Sequence, residues 1–137
     1  MLRSTVLMLM SMSMLMACGG SEEVGAVESV PETPGMCADV EEVVITAEAG
    51  GTFRFHVTVR SSETGWDKYA DAWEVRAPDG TVLGTRILAH PHLDEQPFTR
   101  SLSGVAIPAD VTRVEVAARD LLEGFCGTIL PAEIPGR

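Results

Sequence analysis

The sequence predicts an all-β fold, an antiparallel β-sandwich of about seven short strands. Apolar and polar residues alternate strictly from residue 53 to residue 60, and this two-residue period is typical of a half-buried strand. Turn residues recur at the spacing of short strands, at Gly50-Gly51, at Pro78-Asp79-Gly80 and at Pro108-Ala109-Asp110. The domain contains no convincing helical pattern, so a sandwich built from sequential strands is the expected architecture.

Each strand has its own sequence signal. The first is an apolar, β-branched run, and the second is the alternating segment after Gly50-Gly51. Asp79-Gly80 supplies the positive φ angles that a tight hairpin between the third and fourth strands needs. Val114 and Val116 alternate with polar neighbours in the sixth. The predicted strands are 40–47, 53–60, 69–75, 81–88, 99–107, 111–118 and 125–130.

The third strand leaves one question open. Asp71 shares the parity of Tyr69 and Trp73. If that face is the core, its carboxylate needs a donor, for which Arg100 and Arg119 are candidates. If the parity shifts by one at a β-bulge, Asp71 is solvated instead.

A secretory signal is expected at residues 1–17. A basic start and a short apolar run lead to Leu15-Met16-Ala17-Cys18, and the run is too short and wrongly flanked for a spanning helix. With a cysteine at the cut, the stretch resembles a bacterial lipoprotein signal with a lipobox. The resemblance implies that Cys18 becomes the acylated first residue and that the lipid bilayer is a partner through it. Gly19 after that cysteine resembles the pattern sorted to the outer membrane, facing the periplasm or the cell surface.

Residues 18–36 are interpreted as the acylated cysteine and an acidic flexible tether, because Gly, Ser, Pro, Thr and Glu recur there without a hydrophobic period. Residues 37–137 are interpreted as one β-sandwich domain. The formal net charge of the chain is −10, which argues against nucleic acid as a partner.

The two remaining cysteines, Cys37 and Cys126, are expected to form a disulfide in an exported protein. If successive strands run up and down, the loops at residues 61–68, 89–98 and 120–124 share one end of the sandwich, and both cysteines lie there. An immunoglobulin domain instead joins its second and sixth strands. The expected fold is therefore immunoglobulin-like, of the fibronectin III-like kind, with a different bridge.

That same end collects the candidate binding residues. His90 and His92 point the same way in an extended backbone, and two imidazoles so placed can bind Zn or Cu. The alternative is a structural surface loop, and no cofactor is expected in that case. Further ligands would come from Glu95 and Glu123, with Asp94 also in reach.

Two other residues have competing interpretations. Trp66 can belong to a contact patch, since Trp is enriched at binding hot spots, or it can cover the end of the sandwich. His56 lies on the polar face of the second strand, where an exposed strand histidine is favoured over a metal ligand.

From Tyr69 onward, and especially over residues 73–86 and 90–100, the chain resembles small exported bacterial proteins of uncharacterised function. The likeness covers about half the mature chain and implies no activity. Glu123 lies in the stretch that matches a histidine-containing turn of those proteins, so it could replace a histidine ligand.

An enzyme is not expected, because the sequence has no GxSxG, CxxC or HExxH motif and no phosphate loop. The leading hypothesis is a membrane-anchored exported lipoprotein that acts as a non-catalytic interaction module for an unknown envelope protein or ligand. The alternative is a periplasmic Zn- or Cu-binding protein that uses the loop His90-Pro91-His92.

Overall fold

A computed structural model describes residues 35–137. The predicted signal, Cys18 and nearly all of the predicted tether lie outside the described residues. Within residues 35–137 the chain forms seven strands and no helix, so no helix in this range is long and apolar enough to cross a membrane. The strands are β1 (Asp39–Ala47), β2 (Thr52–Arg60), β3 (Ala70–Arg76), β4 (Val82–Ile87), β5 (Phe98–Ala106), β6 (Arg113–Asp120) and β7 (Leu130–Glu133).

The strands form two antiparallel sheets. One has the order β1-β2-β5 and the other the order β4-β3-β6-β7. The alternation in β2 has the expected effect, because its four apolar side chains are buried while Arg54 and Arg60 are exposed. The four apolar side chains of β2 pack in one core with Trp73, Val114 and Val116 of the other sheet. The predicted all-β fold with about seven strands in antiparallel sheets is confirmed.

The last strand was placed too early by the sequence pattern, at residues 125–130 instead of Leu130–Glu133. The segment before β7 runs beside the start of β1: Val40 N donates to Thr128 O at 3.0 Å, and Thr128 N donates to Asp39 Oδ1 at 2.7 Å. A Cβ on Gly127 would lie 2.0 Å from Ala38 O. This segment therefore passes from β6 of one sheet along the start of β1 of the other sheet. Its pairing with β6 begins only at Leu130.

The third strand contains the irregularity that the sequence left open. The β3–β6 register shifts between Ala70 and Ala72, which buries Ala70 and leaves Asp71 partly exposed. Asp71 nevertheless has a partner, because Arg119 donates to its two carboxylate oxygens at 2.8 Å each. This hydrogen-bonded carboxylate raises the pKa of Arg119 above its usual range. Of the two candidate donors, Arg119 is the one that the structure selects.

Candidate functional site

Three loops meet at one end of the sandwich, as the parity of the strands predicts. They connect β2 to β3, β4 to β5 and β6 to β7. Leu121 N donates to Tyr69 O at 2.9 Å, and Ser61 N donates to the Gln96 side chain at 2.9 Å. We call residues 61–69, 88–97 and 121–129 together the loop end of the domain.

The disulfide predicted from the sequence is present at the loop end. Cys37 and Cys126 are bonded, with their Cα atoms 5.4 Å apart. The first described residues are therefore covalently attached to the β6–β7 loop, and the chain enters the domain at the same end as the three loops.

Glu63 connects the first two loops. Its carboxylate accepts hydrogen bonds from the backbone N–H of His92, from Ser61 Oγ at 2.7 Å and from the backbone N–H of Ala70 at 3.2 Å. Gln96 completes the connection, because its amide also donates to His92 O at 3.1 Å. These bonds give partners to the backbone N–H groups of Ser61, Ala70 and His92, and they fix the β4–β5 loop against the β2–β3 loop.

Lys68 and Asp120 connect the β2–β3 loop to the β6–β7 loop. Lys68 Nζ lies 2.6 Å from Asp120 Oδ2, and the two side chains are 13% and 0% exposed. The ammonium also donates to Met36 O at 2.6 Å. Asp120 Oδ1 accepts the N–H groups of Leu122 at 2.9 Å and Glu123 at 3.1 Å. This buried ion pair, with all its hydrogen bonds, holds the first described residues and the β6–β7 loop together.

The two candidate metal-binding histidines are neighbours, with ring centroids 4.6 Å apart. His92 is buried, and its ring stacks on Phe98 at 3.9 Å. Its Nδ1 is buried and has no hydrogen-bond partner among residues 35–137. Burial, aided by the nearby Arg100 guanidinium, lowers the pKa of His92 from its ordinary value, and the Glu63 carboxylate opposes this shift.

The other candidate ligands are dispersed. Glu95 is held by Arg100, with contacts of 3.0 and 3.3 Å, and this hydrogen bond lowers the pKa of Glu95. Asp94 and Glu123 are exposed. Across residues 35–137, no three His, Cys, Asp or Glu side chains are grouped so that they could hold a metal ion.

Trp66 is exposed, so it does not shield the core. Its side chain is 67% exposed and packs edge-to-face on Tyr69 at 6.0 Å. His56 donates to or accepts from Ser101 Oγ at 2.7 Å across the β2–β5 pair, which is a structural contact on the sheet surface.

A cleft of about 950 Å³ opens beside the disulfide. Residues that precede β1, the end of β2 and the β4–β5 loop form its walls, and it is lined among others by Cys37, Glu41, Arg60, Ser61 and Gln96. Arg60 pairs with Glu41 here, and Asp39, which also lines the cleft, accepts the N–H of Thr128.

Sequence reasoning missed the four residues that organise the loop end, namely Glu63, Gln96, Lys68 and Asp120. Each acts on a loop distant in sequence, so no local pattern marks it. One available signal was that Lys68 is the only lysine of the chain; the other nine basic residues are arginines.

Comparisons with known proteins give one relative. No protein-family model matches the chain, and no solved structure matches it. A protein of Halomicrobium mukohataei that bears the name "Putative lipoprotein" is 37% identical over 90 residues, which is 66% of this chain and 44% of that protein. The chain thus spans less than half the length of this curated relative.

Proposed function

We propose that this protein is an exported lipoprotein, anchored in the membrane of the cell envelope through an acylated Cys18, and that its β-sandwich acts as a non-catalytic interaction module. The lipobox-like stretch Leu15-Met16-Ala17-Cys18 supports the anchor. The similarity to a protein named "Putative lipoprotein" also supports it.

The proposed fold type is an immunoglobulin-like sandwich of the fibronectin III kind. The order of strands in the two sheets supports this assignment, because β2 and β5 lie together in one sheet and β3 and β6 in the other. In constant-type immunoglobulin domains the fourth strand pairs with the fifth, whereas here β4 pairs with β3. Such domains commonly present binding loops at the ends of the sandwich.

The observation that carries the proposal is the ordered loop end. Buried hydrogen bonds of Glu63 and Gln96, and the buried Lys68–Asp120 pair, hold three loops in fixed positions. Loops fixed in this way lose little conformational entropy on binding, which favours affinity. The carboxylates of Glu63, Asp120 and Glu95 are all engaged by structural partners, an arrangement that suits a scaffold better than acid–base chemistry.

The anchor is tested with the substitution Cys18→Ser. We expect wild-type protein to incorporate labelled fatty acid and to sediment with membranes, and we expect the variant to do neither. Gly19 favours the outer membrane as the destination, and density separation of the two membranes tests that part. Labelled fatty acid on the Cys18→Ser variant, or unchanged sedimentation, would refute the anchor.

The interaction role is tested by photo-crosslinking in cells. A photoreactive residue at position 122, in the loop end, is expected to give adducts with an envelope component. The matched control is position 82, because Val82 is an exposed apolar residue at the opposite end. Equal absence of adducts at both positions would contradict the proposal.

A second candidate function is binding of Zn or Cu by the loop His90-Pro91-His92. The closeness of the two imidazoles and the free, buried Nδ1 of His92 favour it. Calorimetric titration with each metal should give saturable heat in the wild type and none in the double variant His90→Ala/His92→Ala. Identical weak heats from both proteins would eliminate the metal.

A further inference from the structure

Large apolar side chains are exposed at the loop end, Leu93 and Ile129 among them. Four others lie around the Lys68–Asp120 pair, three on the loop end itself and one at Met36, whose carbonyl accepts a hydrogen bond from Lys68. Met36, Trp66 and Leu122 are 62%, 67% and 65% exposed, and Leu121 is also exposed. We call these four residues the apolar cluster. Clustered exposed apolar residues on a soluble domain mark contact surfaces for proteins or membranes.

The apolar cluster is held in place by the ion pair beneath it. Lys68 bonds both the carbonyl of Met36 and the carboxylate of Asp120. Asp120 in turn accepts the N–H of Leu122, and Leu121 bonds the backbone of Tyr69, whose ring contacts Trp66. Polar contacts therefore hold the backbone at Met36, Leu121 and Leu122, from which three of the exposed side chains project.

The short length of chain between the proposed anchor at Cys18 and the domain indicates which partner covers this cluster. Met36 belongs to the cluster, and its neighbour Cys37 is bonded to the β6–β7 loop. Met36 is 18 positions after Cys18, so the two residues are at most about 65 Å apart, the distance for a fully extended chain. An anchor at Cys18 therefore keeps the apolar cluster within that distance of the lipid. At such a high effective concentration, even a weak contact with the bilayer is populated.

Side-chain chemistry indicates the kind of lipid. Trp and Tyr favour the membrane–water interface, where an apolar ring body and a polar group are both accommodated. Asp67 and Glu123 are exposed directly beside Trp66 and Leu122, and the one lysine nearby is already paired with Asp120. These acidic neighbours disfavour anionic headgroups, so a zwitterionic surface is the matching partner.

We propose that the apolar cluster inserts shallowly into the zwitterionic interface of the bilayer that holds the anchor, so that the loop end faces the membrane. This inference rests on the proposed lipid anchor and names the partner of the loop end. The domain would then be oriented by two attachments, the acyl chains at Cys18 and the cluster itself, with the turns at the opposite end, between β1 and β2, β3 and β4, and β5 and β6, directed away from the lipid.

The two tryptophans of the chain provide the test. Acylated protein is purified from membranes and reconstituted into phosphatidylcholine vesicles with either ordinary or brominated acyl chains, since bromine quenches only fluorophores in contact with the lipid. Trp66 is expected to be quenched, whereas Trp73 is fully buried in the core. A Trp66→Phe variant, which retains only Trp73, is therefore expected to lose the quenching.

Matched variants locate the contact. Leu121→Ser/Leu122→Ser is expected to reduce the quenching of Trp66 severalfold. Val44→Ser/Val82→Ser changes two similarly exposed residues outside the loop end and should leave it unchanged. Replacing half of the lipid by phosphatidylglycerol should weaken quenching at 0.1 M salt, with recovery at about 1 M salt, where the Debye length falls from about 10 Å to about 3 Å.

Failure of this inference is distinct from failure of the anchor. Equal Trp66 emission in ordinary and brominated vesicles, from protein that still floats with them, overturns the lipid contact and leaves the anchor intact. A protein adduct at position 122 together with unquenched Trp66 likewise overturns it in favour of a protein partner. Stronger quenching on anionic vesicles at low salt would overturn the zwitterionic assignment. Release from membranes is scored separately with Cys18→Ser.

Discussion

Replacing Lys68 by Met should destabilise the domain much more than an ordinary surface substitution, because Lys68 neutralises a carboxylate that is 0% exposed. Removing one partner of a buried ion pair costs about 3 to 5 kcal/mol, since the other charge stays buried and uncompensated. Asp120 keeps two backbone N–H donors in the variant, which places the expected loss near the lower end, about 3 kcal/mol. With an m-value of about 1.5 kcal/mol/M, the urea midpoint should fall by about 2 M.

The assay is equilibrium unfolding in urea with the disulfide intact. The control is Arg60→Met, because Arg60 pairs with Glu41 on an exposed surface where side chains are 52% and 36% exposed, and such pairs contribute about 0 to 1 kcal/mol. The double variant Lys68→Met/Asp120→Asn removes both charges, so its loss should be smaller than the sum of the single losses by about 2 kcal/mol. A loss for Lys68→Met no larger than that for Arg60→Met would refute the buried-pair reasoning.

Three further predictions concern stability. Replacing Cys37 and Cys126 by Ala should lower the free energy of unfolding by up to about 4.6 kcal/mol, the chain-entropy value for a closed loop of about 90 residues, and a thermal midpoint equal to that of the oxidised wild type would contradict this. Gly127→Ala should cost at least about 2 kcal/mol, because its Cβ would collide with backbone 2.0 Å away, whereas Gly35→Ala, whose Cβ meets nothing closer than 3.9 Å, serves as a neutral control in the same urea titration. Folding lowers the pKa of His92 below its ordinary 6.5, so the unfolded chain takes up the proton first as pH falls. The wild type should therefore lose more thermal stability than His92→Gln between pH 7 and about 5.5. Parallel profiles of thermal midpoint against pH for the two proteins would exclude His92 as the cause.

The strands were predictable from local pattern, whereas the contacts between loops were not. The eight-residue alternation in β2 fixes which side chains are buried, because a period of two leaves only one apolar face. The Cys37–Cys126 pair was expected because two cysteines remain in a protein interpreted as exported. Strand parity, which needs no knowledge of how strands are distributed between sheets, places both at one end. Both arguments use the order of residues along the chain and need no individual contact between loops.

The misplaced last strand and the unrecognised Glu63 have a common physical cause. Residues 125–130 look like a strand, but Thr128 bonds to Val40 and Asp39 of β1, the disulfide holds Cys126, and pairing with β6 begins only at Leu130. Glu63 is an unremarkable acidic loop residue until the β4–β5 loop brings the N–H of His92 to it. In both cases a partner distant in sequence decides the outcome, and local propensity holds no information about that partner.

The disulfide also determines how the domain transmits force. Cys37 and Cys126 are 89 residues apart, and β1 to β6 all lie between them. Tension applied between the residues that precede Cys37 and the last residues of the chain passes through the sulfur–sulfur bond, so it bypasses these six strands, and β7 is the strand that it can strip. Reduction would release those 89 residues, adding about 300 Å of contour length. The oxidised domain is thus a short, nearly inextensible link, and its reduced form is an extensible one.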